Sequence, residues 1–201
     1  MRVGVFGGTF DPVHRGHLET VETTSRRLAL DRVVYVPARL SPHKTGPQTD
    51  ARHRVAMLAL ALQGHADWSV DFEELDRQPP SYTVDTLRVY VTRWPDAELW
   101  LLMGTDTLSA LARWKEPGEI VRLARIAAFH REPFVGAGLR VPEVAGLRER
   151  LEVLDAGSVR ISGTDLRESL RRGEGTGAWV PASVAEYITK HGLYGSGVAR
   201  R

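Results

Sequence analysis

The sequence contains no cysteine among its 201 residues, so it can form no disulfide and can offer no thiolate as nucleophile or metal ligand. It also lacks any apolar run near the ~18 residues of a membrane span, and its first apolar segment breaks at Gly7, too early for a signal peptide. Lys and Arg are scattered without long runs, which argues against a nucleic-acid-binding tail. We therefore expect a cytoplasmic protein with no membrane and no nucleic acid among its partners.

Three familiar chemical signatures are missing as well. No GxGxxG follows the first apolar run, which disfavours a dehydrogenase that binds a nicotinamide cofactor. No HExxH occurs, and His14 and His17 have no third ligand at a recognisable spacing, so we assign no metal-binding residues. The sequence also offers no convincing pair of nucleophile and general base. Its chemistry must therefore come from histidines, cationic side chains and the backbone.

Six short apolar runs rich in Val, Leu and Ile predict β-strands: RVGVF, DRVVYVP, WSVDF, AELWLLMG, ARIAAFH and LEVLDA. Between them, helices are predicted from Gly16 to Leu30 and from Asp50 to Leu62, with Asp50 as a cap. Strands that are apolar throughout and separated by helices imply a parallel sheet covered on both faces. The predicted fold class is therefore α/β, a Rossmann-like parallel sheet with helices on both faces and a small C-terminal helical segment.

Length and composition fit a single domain over residues 1–194, because the 42% of hydrophobic residues and 26% of charged residues are near globular averages. From Thr164 to Tyr194 the sequence predicts two helices joined by RRGEGTGAWVP, with Pro181 at a helix start and Gly192 at its end. Residues 195–201 are expected to fray, and no element is assigned to residues 133–150.

The stretch GGTFDPVHRGH follows the first predicted strand, where the sheet of a Rossmann-like fold binds its ligands. Gly7 and Gly8 are expected to take positive φ and to let the backbone approach a ligand, while Gly16 and His17 begin a helix whose free N–H groups favour an anion. His14 and His17 could then converge on one phosphate. Strand-end glycines or one histidine alone would indicate only a turn or a packing residue; their combination indicates a phosphate site.

These residues resemble the signature of the nucleotidyltransferases that carry an HxGH motif, which here is His14 to His17. The second signature of that superfamily, ISSTxxR, is similar to ISGTDLR over residues 161–167. Further motifs resemble the nicotinate mononucleotide adenylyltransferase family: SPHK at 41–44, SYTVDTL at 81–87, GTD at 104–106, Trp114, and VPASVAEYITKHGLY at 180–194. Two positions depart from the pattern, since Gly163 replaces a Ser and Ser41 replaces the first Pro of the lysine loop.

The resemblance implies adenylyl transfer from ATP to nicotinate mononucleotide, with Mg²⁺ accompanying ATP. It implies His14, His17 and Arg167 as catalytic residues. The residues it implies in ATP binding are Gly7, Gly8, Thr9, Phe10, His14, His17, Gly104, Asp106, Ile161, Ser162, Thr164 and Arg167. Those implied in mononucleotide binding are Lys44, Ser81, Tyr82, Thr83 and Trp114. The oligomeric state stays open, with a homo-oligomer among the options.

Several alternatives stay open at this point. The acceptor could be nicotinamide mononucleotide or pantetheine phosphate, and the missing hydroxyl at Gly163 could mark a nucleotide-binding module without turnover. Individual residues also have ordinary structural interpretations: Thr164 as a helix N-cap, Asp106 as the cap of the helix after GTD, and Lys44 as a solvated loop lysine. The other tryptophans, Trp68, Trp94, Trp100 and Trp179, are predicted to be packing residues.

Overall fold

A computed structural model describes residues 1–40, 48–130, 139–156 and 161–196. Six strands form one sheet: β1 (Arg2–Gly8), β2 (Arg32–Pro37), β3 (Trp68–Val70), β4 (Glu98–Gly104), β5 (Arg125–His130) and β6 (Leu151–Asp155). Their order is β3-β2-β1-β4-β5-β6, and every neighbouring pair is parallel. All six predicted strands are confirmed, although β3 ends two residues earlier than the run WSVDF.

The helices are α1 (Arg15–Leu28), α2 (Ala51–Ala61), α3 (Glu73–Asp76), α4 (Thr83–Arg93), α5 (Thr105–Leu108), α6 (Pro117–Leu123), α7 (Leu147–Arg150), α8 (Gly163–Arg171) and α9 (Ala182–Lys190). Short 3₁₀ turns cover Leu111–Arg113 and Leu193–Gly195. Asp50 caps α2 as predicted, because its side chain accepts from the Arg52 N–H at 2.9 Å. In these described segments no helix has the length and apolarity needed to cross a bilayer.

Side chains along each strand alternate between two buried cores, one on each face of the sheet. Phe6, Tyr35 and Phe129 point into the core that α1 and α2 cover. Val5 and Val34 point into the opposite core, which α4 and α6 cover. Helices therefore lie on both faces, and the predicted Rossmann-like α/β class is confirmed.

The C-terminal helices α8 and α9 extend the first of these cores. Leu166 and Leu170 of α8, and Val184 and Ile188 of α9, are buried together with residues of α1 and α2. Pro181 stands at the N-cap of α9, and Gly192 follows the helix with φ of 59°, as the sequence predicted. These contacts bring α8 to the edge of the sheet where β1 ends.

Strand order reverses between β1 and β4, which pair with each other at the centre of the sheet. Each of these strands continues into a different helical layer, so a crevice opens beyond their carboxyl ends. Gly8 ends β1 and Gly104 ends β4. The stretch singled out in the sequence therefore lies at the topological switch point.

Candidate active site

A cleft of about 450 Å³ lies beyond the carboxyl ends of β1 and β4. Fifteen of the predicted site residues line it: Gly7, Gly8, Thr9, Phe10, His14, His17, Ser81, Tyr82, Thr83, Gly104, Asp106, Trp114, Ser162, Thr164 and Arg167. Ile161 is not among the lining residues. It lies beside the start of α1, since a Cβ atom built at Gly16 would be 3.6 Å from the Cβ atom of Ile161. Lys44 falls outside the described residues. The fold thus brings segments separated by more than a hundred residues to one site.

The loop after β1 reaches the cleft without the glycine geometry expected of it. Neither Gly7 nor Gly8 has a positive φ, because both continue β1 in register with β2; Phe10 takes φ of 50° instead. A Cβ atom at Gly8 would lie 2.9 Å from Cζ of Phe10, whereas one at Gly7 would meet nothing within 4 Å. Gly8 therefore makes room for a buried ring, and Gly7 leaves backbone open to a ligand.

The two histidines stand side by side at the start of α1. His14 is the N-cap residue, and its N–H donates to Nδ1 of His17 at 3.3 Å. The two imidazole rings stack with centroids 3.6 Å apart and planes 19° apart. A Cβ atom at Gly16 would lie 3.1 Å from Nδ1 of His14, so a side chain there would press on the ring. The HxGH spacing therefore places both rings together at a helix N-terminus.

A buried arginine that the sequence interpretation missed is hydrogen-bonded to the loop after β1. Arg54 is 1% exposed, and its guanidinium donates to the carbonyl oxygens of Thr9 at 2.8 Å and Thr49 at 3.0 Å. Burial lowers the pKa of Arg54, while the nearby Asp11 carboxylate raises it. The available signal was its position on α2, one turn before Leu58, on the face that periodicity assigned to the core.

Asp11, also missed, connects the loop to three distant segments. Its carbonyl oxygen accepts from Nη1 of Arg167 at 2.7 Å. Its carboxylate accepts from the Tyr194 hydroxyl at 2.6 Å and from the Thr49 N–H at 3.1 Å. Arg167 also donates through Nη2 to the Thr164 hydroxyl at 3.2 Å. The guanidinium is thereby fixed between the β1 loop and the start of α8.

Two of the ordinary structural interpretations are wrong. Ser162, not Thr164, is the N-cap of α8, because its Oγ accepts from the N–H groups of Thr164 and Asp165. Gly104, not Asp106, is the N-cap of α5, and the exposed Asp106 lies in the first turn. Neither side chain therefore caps its helix, and both residues line the cleft.

The opposite end of the cleft is the N-terminus of α4, with Tyr82 at the N-cap. Within the described part of the chain, no side chain caps this helix end. The Arg77 guanidinium donates to the Tyr82 carbonyl at 3.3 Å and to the Thr86 hydroxyl at 3.0 Å, and that hydroxyl donates to the buried Glu74 at 2.9 Å. This network fixes the helix start and leaves its first N–H groups directed toward the cleft.

Two side chains from the segment before α6 close this end. Trp114 lines the cleft and packs against the second core, whereas Trp68, Trp94, Trp100 and Trp179 pack as predicted. Lys115, which the sequence interpretation missed, lies 4.8 Å from the centroid of the Tyr82 ring. Its ammonium group pairs with Asp85 at 2.9 Å. The aromatic rings of Tyr82 and Trp114 and the ammonium group of Lys115 therefore lie at the N-terminus of α4.

The carboxylates of the cleft do not form a dedicated metal cage. Over the described ranges, no group of three or more His, Asp or Glu side chains is placed to hold a metal ion. Both carboxylate oxygens of Asp11 already accept hydrogen bonds from the protein. Asp106 is the exposed carboxylate of the lining. This donor set fits an Mg²⁺ ion held mainly by phosphates and water, since that ion needs only one or two carboxylates.

Comparison with known proteins identifies the family of this chain. The cytidylyltransferase-like family model matches residues 5–169, a span that includes both the HxGH segment and Arg167. The fold and the site thus define a nucleotidyltransferase of the cytidylyltransferase-like class.

A relative from Thermomicrobium roseum named "Probable nicotinate-nucleotide adenylyltransferase" is 40% identical, covering 96% of this chain and 91% of that protein. A relative of the same name from Thermus thermophilus is 39% identical, with coverage of 96% and 100%. The chain belongs to the nicotinate-nucleotide adenylyltransferase family, as its motifs indicated.

Solved structures support the fold. The nicotinic acid mononucleotide adenylyltransferase of Plasmodium falciparum, in complexes with APC and with NaAD, superposes with a TM-score of 0.76 in each case. The sequence identities are 16% and 17%, and 98% of both chains is covered. The Rossmann-like architecture is therefore shared with an enzyme whose sequence has diverged widely.

Proposed function

We propose that the cleft transfers the adenylyl group of ATP to the phosphate of nicotinate mononucleotide, giving nicotinate adenine dinucleotide and pyrophosphate. Family membership supplies the activity. One observation carries its location: the stacked His14 and His17 rings, the N-terminus of α1 and the Arg167 guanidinium all face one cleft at the switch point. Such a convergence of donors suits a polyphosphate.

The reaction needs positioning rather than a general base. The attacking phosphate oxygen of the mononucleotide is already an anion at neutral pH, and it displaces pyrophosphate from the α-phosphorus of ATP. The barrier lies in bringing two polyanions into line while negative charge builds on the bridging oxygen. His17, which is less buried than His14, is the group we assign to the α-phosphate in the transition state. His14 supports it through the stacked rings.

Arg167 and the start of α8 are assigned to the departing phosphates. The Arg167 guanidinium is anchored on Asp11 and Thr164, so its remaining N–H groups are presented without searching among rotamers. The hydroxyls of Ser162 and Thr164 lie beside it in the cleft lining. Mg²⁺ enters this proposal as part of the ATP substrate and neutralises charge on the triphosphate. Asp106 is the side chain we assign to the ribose hydroxyls, or to a water of that ion.

The N-terminus of α4 is assigned to the nicotinate ring. Free N–H groups at Thr83 and its neighbours favour a carboxylate over an uncharged amide, and the Lys115 ammonium, which also pairs with Asp85, lies at the same end. Trp114 supplies an aromatic face for the pyridine ring. Lys44 is assigned to the phosphate of the mononucleotide, as the motif resemblance implies. We propose that the reaction takes place in the cytoplasm, whose reducing conditions suit a chain without cysteine.

An acceptor panel tests this function. Pyrophosphate release is measured with ATP and nicotinate mononucleotide, nicotinamide mononucleotide or pantetheine phosphate, each with and without Mg²⁺. We expect the highest kcat/KM with nicotinate mononucleotide and a loss of turnover without the ion. Equal or better use of either acceptor that lacks the ring carboxylate would reject the nicotinate assignment. Binding of ATP without pyrophosphate release from any acceptor would indicate a non-catalytic module.

A further inference from the structure

The C-terminal turn of the chain contacts the loop that precedes the catalytic histidines. The hydroxyl of Tyr194 donates to Oδ1 of Asp11 at 2.6 Å, across 183 residues of sequence. On the other side of Asp11, its carbonyl oxygen accepts from Nη1 of Arg167 at 2.7 Å. A continuous path of two short hydrogen bonds therefore runs from the end of the chain to the guanidinium in the cleft.

The backbone of Tyr194 is held in an unusual conformation to make this contact. Its φ is 58° and its ψ is 18°, in the left-handed region that bulky residues rarely adopt. Gly192 and Gly195 on either side also have positive φ, of 59° and 84°. Strain of this kind persists where surrounding contacts over-determine a residue, and it is concentrated at functional sites. Burial and the adjacent Asp11 carboxylate both raise the pKa of Tyr194, so its hydroxyl remains a donor.

Two further hydrogen bonds within the described ranges position Asp11 and its loop. Its second carboxylate oxygen accepts from the Thr49 N–H at 3.1 Å, and the Thr9 carbonyl two residues earlier is held by Arg54. Removing the Tyr194 hydroxyl would leave Oδ1 of a nearly buried carboxylate without this donor. The peptide that carries the Asp11 carbonyl would then be less firmly fixed, and Arg167 depends on that carbonyl.

We propose that Tyr194 is a positioning residue for adenylyl transfer: its hydroxyl orients Asp11, whose carbonyl directs Arg167 toward the phosphates of ATP. This inference rests on the proposed function for the chemistry, but its first consequence is for ATP binding alone. Tyr194 does not line the cleft, so its effect must pass through Asp11 and Arg167. The α4 end of the cleft, where we place the mononucleotide, is not on this path.

The test compares two variants that each lose one phenolic hydroxyl near the C-terminus. Tyr194→Phe removes the contact with Asp11, whereas Tyr187→Phe removes a contact with Nδ1 of His53 at 2.9 Å, outside the cleft lining. We expect Tyr194→Phe to weaken ATP binding and lower kcat/KM for ATP about tenfold, with KM for the mononucleotide changed less than twofold. Tyr187→Phe should leave all three quantities within a factor of two.

A double-mutant cycle with Arg167→Lys separates positioning from a merely structural role. If Tyr194 acts through Arg167, Tyr194→Phe should add less than a twofold loss in the Arg167→Lys background. Independent, multiplying losses, or an equal loss for both substrates, would overturn the proposal. Should Tyr194→Phe fail to fold, Asp11→Asn replaces it, because that variant keeps the main-chain carbonyl and weakens the side-chain anchor. The same ATP-selective loss is expected.

The two proposals fail in different ways. A wild-type protein that binds ATP but releases no pyrophosphate would contradict the proposed function, and calorimetric ATP affinities of the variants would still judge the role of Tyr194. A wild-type protein that turns over normally, with unchanged ATP binding and kcat/KM in Tyr194→Phe, would contradict the positioning role alone.

Discussion

The guanidinium of Arg54 donates to the carbonyl oxygen of Thr9 at 2.8 Å from a position that is 1% exposed. This contact lets a helix in the core determine the path of the loop that leads to His14 and His17. Burying an arginine costs free energy unless its N–H groups are hydrogen-bonded. Here they are bonded to the carbonyl oxygens of Thr9 and Thr49. Arg54 does not line the cleft, but it holds Thr9, which does.

Arg54→Met is expected to lower the free energy of unfolding by about 3 kcal/mol, since it leaves the Thr9 and Thr49 carbonyls without this donor. Urea unfolding measures the change. The matched control is Arg52→Met on the same helix, whose side chain is 78% exposed and pairs with Asp50. That control should stay within about 0.5 kcal/mol of wild type. Equal unfolding midpoints for the two variants would contradict the anchoring role.

His17→Ala is expected to lower kcat by ~10², the scale of losing one transition-state donor, with little change in the free energy of unfolding. Initial rates of pyrophosphate release at saturating substrates measure it. His65→Ala is the control, because His65 stacks on Trp68 away from the cleft lining. A His17→Ala protein that unfolds more easily yet keeps its specific activity would make His17 a structural residue.

Lys115→Gln is expected to reduce the preference for nicotinate over nicotinamide mononucleotide by about threefold, the scale of a partly exposed charge interaction. The reason is that Lys115 lies 4.8 Å from the Tyr82 ring, at the end of the cleft assigned to the carboxylate. Ratios of kcat/KM for the two acceptors measure the effect, with Lys190→Gln at the end of α9 as the control. An unchanged ratio would remove Lys115 from the acceptor site.

Much of this organisation is readable from sequence, for identifiable physical reasons. The strands are apolar on both faces because helices cover both, so each appears as a continuous run such as AELWLLMG. The HxGH spacing is local, and it predicts the neighbouring rings of His14 and His17 directly. Ser81, Tyr82 and Thr83 are predicted as site residues through the family resemblance, since a helix N-terminus alone does not indicate a ligand.

Other features could not be predicted from the sequence, because they depend on contacts between segments that are distant along the chain. The positive φ expected at Gly7 and Gly8 occurs at Phe10, since pairing with β2 extends through Gly8. Nothing local in the sequence indicates the contacts of Asp11, because its partners Arg167 and Tyr194 lie 156 and 183 residues away. A four-residue helix such as α3 has too few residues to show a period.

Glu74 gives the protein a predictable pH dependence. Burial raises its pKa above the usual 4.5, an effect that the Thr86 hydrogen bond and the Arg77 charge only partly offset. The folded state therefore holds this proton at pH values where the unfolded state has lost it, so the contribution of Glu74 to stability falls as pH rises above 4.5. We expect wild type to lose stability relative to Glu74→Gln as the pH is raised from 4.5. A constant difference between the two unfolding curves would contradict the shift.

Gly163→Ser restores the hydroxyl that the family signature carries at this position. A Cβ atom there would lie 3.4 Å from Nη1 of Arg167 and 3.6 Å from the Asp11 carbonyl oxygen, which is ordinary contact. The Cβ atom therefore fits, and the serine hydroxyl would add a donor beside Arg167, which we assign to the phosphates. We expect KM for ATP to fall about threefold, the scale of one added hydrogen bond, with kcat nearly unchanged.

Gly118→Ser is the matched control for this variant, because Gly118 also lies in the first turn of a helix and a Cβ atom there would meet nothing within 4 Å. Both substitutions should change helix stability to a similar extent, so any difference in ATP affinity reports on the cleft. A rise in KM for ATP in Gly163→Ser would mean that the added atoms displace Arg167. In that case the glycine is an adaptation of this chain to its own arginine rather than the loss of a ligand-binding group.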